Sequence, residues 1–269
     1  MDRSFLFVPG TRPDMMSKAI ASDADAVIMD LEDSVPPDLK ARAREHVARH
    51  AAVRRCWVRV NAPYTDECER DLAAVGGTAR GIRIPKVESS ADVAWVRDRA
   101  PGKPLICAVE TARGVLAAVD VAQAEGVTRL ALGGVDLRRD IRSDGAATST
   151  IYARSHLVMA SRAAGLDPPI DSVFGHLDDQ AGLQAEAEFA KSLGFFGKSA
   201  IHPAQLPVIH SVFTPTAEDL EWADQVLSAF EESGGAATKL ATGEFVDRPV
   251  VDRANDLLRR GRGADSSRV

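Results

Sequence analysis

Short apolar runs, many of them β-branched, recur along the chain with segments of helical length between them. The runs are FLFVP, AVIMD, CWVRV, GIRIP, LICAVE, RLALGG, PIDSV and GFFGK, eight in all. The intervening stretches, such as DVAWVRDRA, TARGVLAAVDVAQAEG and AGLQAEAEFAKSLG, place apolar residues every three or four positions, the period of an amphipathic helix. Near-continuous apolar strands separated by helices pair in parallel and are covered on their faces by those helices. Eight such units in about 210 residues predict an α/β protein of the (β/α)₈ TIM-barrel kind, with an open doubly wound sheet as the runner-up.

At 269 residues and 45% hydrophobic composition, the chain can bury one large core or two smaller ones. The eighth run ends before the helical stretch TAEDLEWADQVLSAFEES, for which Thr216 can act as N-cap. A Gly-Gly-Ala-Ala segment reading as a mobile linker and a last helix over VVDRANDLLRR follow. The expected organisation is therefore a barrel over 1–213 and a helical extension over 214–269, with the final residues, RGRGADSSRV, reading as disordered. The three cysteines, Cys56, Cys68 and Cys107, are odd in number and lack C-x-x-C spacing, which argues against a disulfide framework or a zinc ribbon and suits a reducing cytoplasm. No run approaches the roughly 18 apolar residues of a membrane span. A net charge of −6 argues against a broad nucleic-acid footprint.

In such a barrel the chemistry collects at the carboxyl ends of the strands. The polar residues there are Arg12, then Asp30, Glu32 and Asp33, then Arg59 and Asn61, Lys86 and Glu88, Glu110, Asp136, and Lys198 with His202 beyond it. Four acidic strand ends in one ring repel one another unless a cation sits among them, and oxygen ligands without His or Cys favour magnesium or manganese. Any single acid there can equally be a helix cap or a solvated rim residue. Arg59, inside the apolar run CWVRV, is harder to place structurally, because a guanidinium in a barrel mouth needs an anionic partner. Lys86 and Lys198 read either as rim salt bridges or, in a metal-independent scheme, as Schiff-base lysines. His46, His50 and His210 fall on helical stretches and read as surface residues. The arginine-rich LRRDIRSDGAATS and His176 in VFGHLDDQ read either as substrate-facing loops or as surface and subunit contacts.

Taken in order, SFLFVPGTRPDMMSKA, DAVIMDLEDSVPPDLKARAR, VRVN, RIPKVES, AVETARGV, LGGVD and GFFGKSAIHPAQL resemble the citrate lyase beta-subunit family of magnesium-dependent carbon–carbon lyases, which includes malyl-CoA and citramalyl-CoA lyases. The resemblance runs from about residue 4 to residue 258. It implies a (β/α)₈ barrel that cleaves or forms a bond between an acyl thioester, on coenzyme A or an acyl carrier, and a 2-oxo acid such as oxaloacetate, glyoxylate or pyruvate. By resemblance, Glu110 and Asp136 match the magnesium ligands, and Glu32 and Asp33 match acids that hold the metal-bound waters. Arg59 matches the substrate-facing arginine, and Phe7, Arg12 and Lys18 match positions that meet coenzyme A. Asp247, in TGEFVDRPVV, matches an acid or base carried on a tail that closes over a neighbouring subunit, which implies a homotrimer or hexamer. Two other readings remain open at this point: an aldolase acting on free 2-oxo acids, and a non-catalytic subunit of the same fold.

Overall fold

A computed structural model describes residues 1–51, 56–143, 145 and 147–266. The first six apolar runs become strands where expected: β1 (Ser4–Pro9), β2 (Ala26–Asp30), β3 (Cys56–Arg59), β4 (Gly81–Ile84), β5 (Leu105–Val109) and β6 (Val127–Leu132). With β7 (Lys198–Ala200) they form one curled parallel sheet in the order β6-β5-β4-β3-β2-β1-β7. Helices follow the strands: α1 (Pro13–Ile20), α2 (Lys40–His50), α3 (Asp66–Val75), α4 (Ser90–Arg99), α5 (Ala112–Leu116), α6 (Ala118–Ala122), α7 (Gly134–Asp140), α8 (Ile151–Ala163), α9 (Gln180–Leu193) and α10 (Leu206–Phe213). Local chemistry fixes several starts. Ser89 and Asp92 form a capping box on α4, and the Thr65 and Thr111 hydroxyls accept the backbone N–H of Cys68 and Gly114.

The named strands do not close a barrel, and this corrects the expected eight. PIDSV contributes single parallel bridges, Ile170 to Ala131 of β6 and Asp171 to Lys198 of β7, in place of a ladder. Pro168 and Pro169 have no N–H to donate, which removes the hydrogen bonds a strand would need there. GFFGK is displaced for a related reason: Gly194 and Gly197 sit at φ +105° and +96°, so extended backbone begins only at Lys198. At this seam, side chains take over from backbone pairing. Lys198 and Asp171, both fully buried, meet at 2.6 Å; Arg154 pairs with the same carboxylate, and Lys198 also reaches Glu186 at 2.5 Å. Lys198 therefore turns away from the mouth in which it was expected.

Inside the curl, Phe5, Ala26, Ile28, Trp57, Ile106, Ala131 and Ile170 form one apolar cluster, with Phe7 packed against it. The amino-terminal end is stoppered by Arg129. Its guanidinium donates to the carbonyls of Asp2 at 3.1 Å, Pro168 at 2.7 Å and Phe196, and lies over the Phe5 ring. Cys56, Cys68 and Cys107 are all buried, and burial pushes Cys68 up to about 12. His210, expected at the surface, is half-buried, with Nε2 at 2.8 Å from the Ser4 hydroxyl.

The chain divides into two compact units, Asp2–His210 and Met1 with Ser211–Val269. In the second, a capping box of Thr216 and Asp219 starts α11 (Ala217–Glu232). Gly234 and Gly235, both at positive φ, then turn the chain into an antiparallel hairpin of β8 (Thr238–Lys239) and β9 (Phe245–Val246) where the sequence suggested a plain linker. The last helix, α12 (Arg248–Ser266), extends into the tail expected to be disordered, of which 267–269 lie outside the described residues. Ala223, Val226, Leu240, Val246, Val251 and Ala254 form this unit's own core.

The seam yields a test. Asp171→Ala leaves Lys198 and Arg154 buried with a shared partner gone, a change expected to lower stability by about 3–5 kcal/mol in urea unfolding. A loss below about 1 kcal/mol would show that the ion network does not hold the seam.

Candidate active site

Parallel register brings the polar strand ends together. Pro9 pairs with Asp30, Asp30 with Arg59, and Arg59 with Arg83, so an acid and two arginines stand in one row on adjacent strands. Asp30 and Arg59 form a two-pronged pair, Nε to Oδ1 at 2.7 Å and Nη2 to Oδ2 at 2.8 Å. The same carboxylate accepts the backbone N–H of Glu32 at 2.9 Å and of Ser34 at 3.2 Å, which turns the chain sharply after β2. Burial alone would raise the Asp30 carboxyl, but Arg59 overrides it and holds Asp30 below its ordinary value. Burial would likewise lower Arg59, yet the hydrogen bonds and charge of Asp30, with Glu32 and Asp33, hold it above.

Glu32, delivered by that turn, is buried between two cations. Oε1 accepts from Lys86 Nζ, while Oε2 lies 3.0 Å from Arg59 Nη1 without the alignment of a hydrogen bond. Its carboxyl is raised, by burial first. Asp33 is exposed and within 3.3 Å of Lys86 and 3.7 Å of Arg59. Lys86 sits at φ +52°, a left-handed conformation unusual for a residue with a side chain. Burial lowers its ammonium, but Glu32 and then Asp33 outweigh that and hold it above its ordinary value, the opposite of what an amine nucleophile requires.

Glu110, at the end of β5, is 3% exposed, and among the described residues its Oε2 has no hydrogen-bond partner. Burial, then the charge of Glu32 and, more weakly, of Asp136, raise its carboxyl to about 7. Gly133 makes room for it. A Cβ there would stand 2.1 Å from Glu110 Cγ, while the Gly133 N–H is spent on the Val109 carbonyl at 2.9 Å. Asp136 falls in the first turn of α7, half-buried, with Arg139 at 2.9 Å. Among the described residues, no three His, Cys, Asp or Glu side chains gather as a ready cage. Two carboxylates that leave several positions to water and substrate suit a hard divalent cation such as magnesium.

The other sequence candidates divide. Phe7 lies inside the curl, its ring 5.1 Å from the Arg59 guanidinium and 5.0 Å from that of Arg83. Arg12, just before α1, and Lys18, on it, are exposed, and Arg12 pairs with Asp14 at 3.1 Å. Asn61 ties loops together, bonding the Leu31 carbonyl, Asp71 and Lys40. Glu88 accepts from Thr111 at 2.8 Å, and His202 caps the turn at Pro203–Gln205. His176 is exposed on its loop; in 137–149, residues 144 and 146 lie outside the described set. Asp247 belongs to the second unit, where its Oδ1 receives the Val250 N–H at 3.4 Å at the start of α12. Arg83 escaped the sequence reading, although it lies inside GIRIP as Arg59 lies inside CWVRV. A hollow of ≈ 810 Å³ in the second unit, lined by Leu220, Asp224, Glu232 and Lys239 among others, gathers no comparable set of buried charges. Beside Glu32, Asp33 and Lys86 lies a smaller one of ≈ 380 Å³.

Residues 3–203 match the HpcH/HpaI aldolase/citrate lyase family. The chain belongs to that family. It is 35% identical to the citrate lyase subunit beta of Escherichia coli (strain K12), over 96% of this chain and 92% of that one. To a (3S)-malyl-CoA thioesterase of Cereibacter sphaeroides it is 36% identical, over 95% and 93%. Among solved structures, CitE of Mycobacterium tuberculosis in complex with magnesium, acetoacetate and coenzyme A superposes with a TM-score of 0.84 at 36% identity, covering 97% and 98%. The citrate lyase beta subunit of M. tuberculosis, complexed with oxaloacetate and magnesium, superposes at 0.73 and 34%, covering 80% and 97%.

Glu110 supplies a sign-definite prediction. Its folded value lies above the ordinary 4.5, so the stability tied to its neutral form is complete at low pH and is lost as pH rises through about 7. A rise from 4.5 to about 7 corresponds to roughly 3 kcal/mol. In EDTA, Glu110→Gln should therefore be more stable than wild type by up to that amount at pH 8 and about equal at pH 4.5, read from denaturant unfolding at each pH. Parallel pH profiles for the two proteins would refute the assignment.

Proposed function

We propose that this protein is a magnesium-dependent carbon–carbon lyase that cleaves, or in reverse forms, a 3-hydroxy-acyl thioester of the citryl, malyl or citramalyl kind, giving an acyl thioester and a 2-oxo acid. The observation that carries the reading is Glu110, a carboxylate with an oxygen unpartnered among the described residues, raised toward neutrality by burial first and then by Glu32 and Asp136, and so in want of a cation. The magnesium and oxo-acid complexes of related structures support the same conclusion. Single bridges at Ile170 and Asp171 across the gap between β6 and β7 support a (β/α)₈ barrel as the frame.

In this reading Glu110 and Asp136 hold the ion, and Glu32 and Asp33 accept hydrogen bonds from water around it. Bound there, magnesium, or manganese in its place, would polarise the carbonyl of the 2-oxo acid and stabilise the alkoxide that the adduct's hydroxyl becomes. Arg59 does the complementary work. Fixed by Asp30 through two of its five N–H groups, it keeps others to meet the thioester oxygen as negative charge develops on it when the bond breaks. Because the guanidinium is already oriented, it does not have to reorganise during the step. Lys86, kept protonated, holds Glu32 in place. The exposed Arg12 and Lys18 offer cations to the phosphates of coenzyme A, with Phe7 deeper in the mouth as an apolar contact. Asp247 moves the proton, taking it from the hydroxyl and returning one to the enolate carbon, on a tail over 214–269 that closes on a neighbouring copy of the barrel at 1–213. That arrangement implies a homotrimer or hexamer. The reduced, buried thiols suit the cytoplasm, and no helix among the described residues is long and apolar enough to cross a membrane.

Incubation with malyl-, citramalyl- and citryl-CoA, with and without EDTA, tests the reaction: cleavage of at least one in magnesium and its loss in chelator are expected. Activity that survives EDTA unchanged would sink the metal scheme. Glu110→Ala and Gly133→Ala should each lower kcat by about 100-fold or more, the second because its methyl displaces Glu110. For the tail, truncation after Gly234 should abolish turnover while leaving acetyl-CoA binding measurable by calorimetry; full activity would remove Asp247 from the mechanism.

A further inference from the structure

Arg83 is 4% exposed and carries none of the roles assigned so far. In β4 it stands in register with Arg59 on one side and Ile106 on the other, and Ile106 belongs to the interior cluster, so Arg83 also points inward. Other buried arginines are amply partnered: Arg59 by Asp30, Arg154 by Asp171, and Arg129 by three carbonyls. Arg83 is not. Among the described residues, its one hydrogen bond runs from Nη1 to the Ser199 hydroxyl at 3.5 Å, the outer limit of such a bond, and its Nε has none. A buried guanidinium with unspent N–H groups is costly, and a structure that keeps one invites an anion. Burial, followed by the charge of Arg59, lowers its proton affinity to about 10, in keeping with a cation short of counter-charge.

The surroundings suit a small carboxylate. Asp171 and Lys198 lie in register and pair with each other, so the residues after them, Ser172 and Ser199, turn to the opposite, inward face. The Ser172 Oγ accepts the Gly134 N–H at 3.0 Å, which leaves its own O–H to give. Across the interior, the inward positions after Ile106 and after Arg129 are Ala108, Ala131 and Gly133, which place no bulk there. Glu110 and Gly133 mark the level above, where the metal end of the substrate lies in the proposed reaction.

We propose that Arg83, with the hydroxyls of Ser199 and Ser172, receives a second carboxylate on the oxo-acid half of the substrate, and so selects a dicarboxylic 2-oxo acid over a monocarboxylic one. The inference rests on the lyase reading for its substrate class. A planar guanidinium meets a carboxylate with two parallel hydrogen bonds, and a site built to make such bonds penalises a ligand that lacks them far more than a missing methylene would.

Malate and lactate test it without turnover, because they share the 2-hydroxy acid end and differ by one carboxylate. By calorimetry in magnesium, wild type should bind malate about 100-fold more tightly than lactate. Arg83→Leu should bring the two within about threefold while leaving lactate binding as it was; Arg83→Lys should recover part of the preference, and Ser199→Ala should weaken malate alone. Equal binding of the two acids by wild type, or an equal loss of both in Arg83→Leu, would overturn the proposal. Thermal unfolding of each variant checks its fold. If Arg83→Leu does not fold, the wild-type ratio and the Arg83→Lys and Ser199→Ala proteins decide. The parent reading fails separately: malate selectivity through Arg83 without cleavage of any thioester would sink the lyase and keep this site. Cleavage with the same substrate preference in wild type and Arg83→Leu would do the reverse.

Discussion

The site depends on one buried ion pair. Asp30 and Arg59 face each other on adjacent strands, and their two parallel hydrogen bonds hold both charges where neither could remain alone. The consequences spread outward from it. Asp30 uses its remaining acceptor capacity on the N–H groups of Glu32 and Ser34, so the same carboxylate that fixes the arginine also bends the chain and delivers Glu32. Glu32 then stands among Arg59, Lys86 and Glu110, and its negative charge helps to keep Glu110 from ionising in the absence of a cation. The mouth is in this sense an electrostatic sequence, in which each charge is tolerated because of the one placed before it.

Much of this was written in the sequence because period and polarity are local. Six apolar runs became strands in place, and the row Asp30, Arg59, Arg83 follows from parallel pairing of their ends. Asp30, Glu32 and Asp33 read as acidic strand ends that need a cation among them; what answers Asp30 is Arg59, 29 residues on. Such a pairing is set by register, which no single stretch of sequence reveals. Arg83 could have been found by the reasoning applied to Arg59, since both are guanidinium groups inside apolar runs.

The seam was less legible because two local rules gave way there to tertiary pairing. PIDSV begins with Pro169 and follows Pro168, and GFFGK carries Gly194 and Gly197 at positive φ, so neither could supply a full ladder. Lys198 reads as a rim residue from its place at a strand end, but its burial together with Asp171 makes the pair a structural clasp. The hairpin of the second unit was missed for the opposite reason: strands of two residues each are too short to show alternation.

The stopper at the amino end has a bearing on the order of events. Arg129, bound to carbonyls that precede β1, the Ile170 bridge and β7, shuts one end of the interior, so traffic passes through the mouth at the other. On the proposed lyase reading, a small acid held over Arg83 lies beneath the thioester that fills the mouth, and the thioester acts as a cork. With one end of the interior shut, that reading carries an ordered, last-in, first-out exchange of ligands as its corollary.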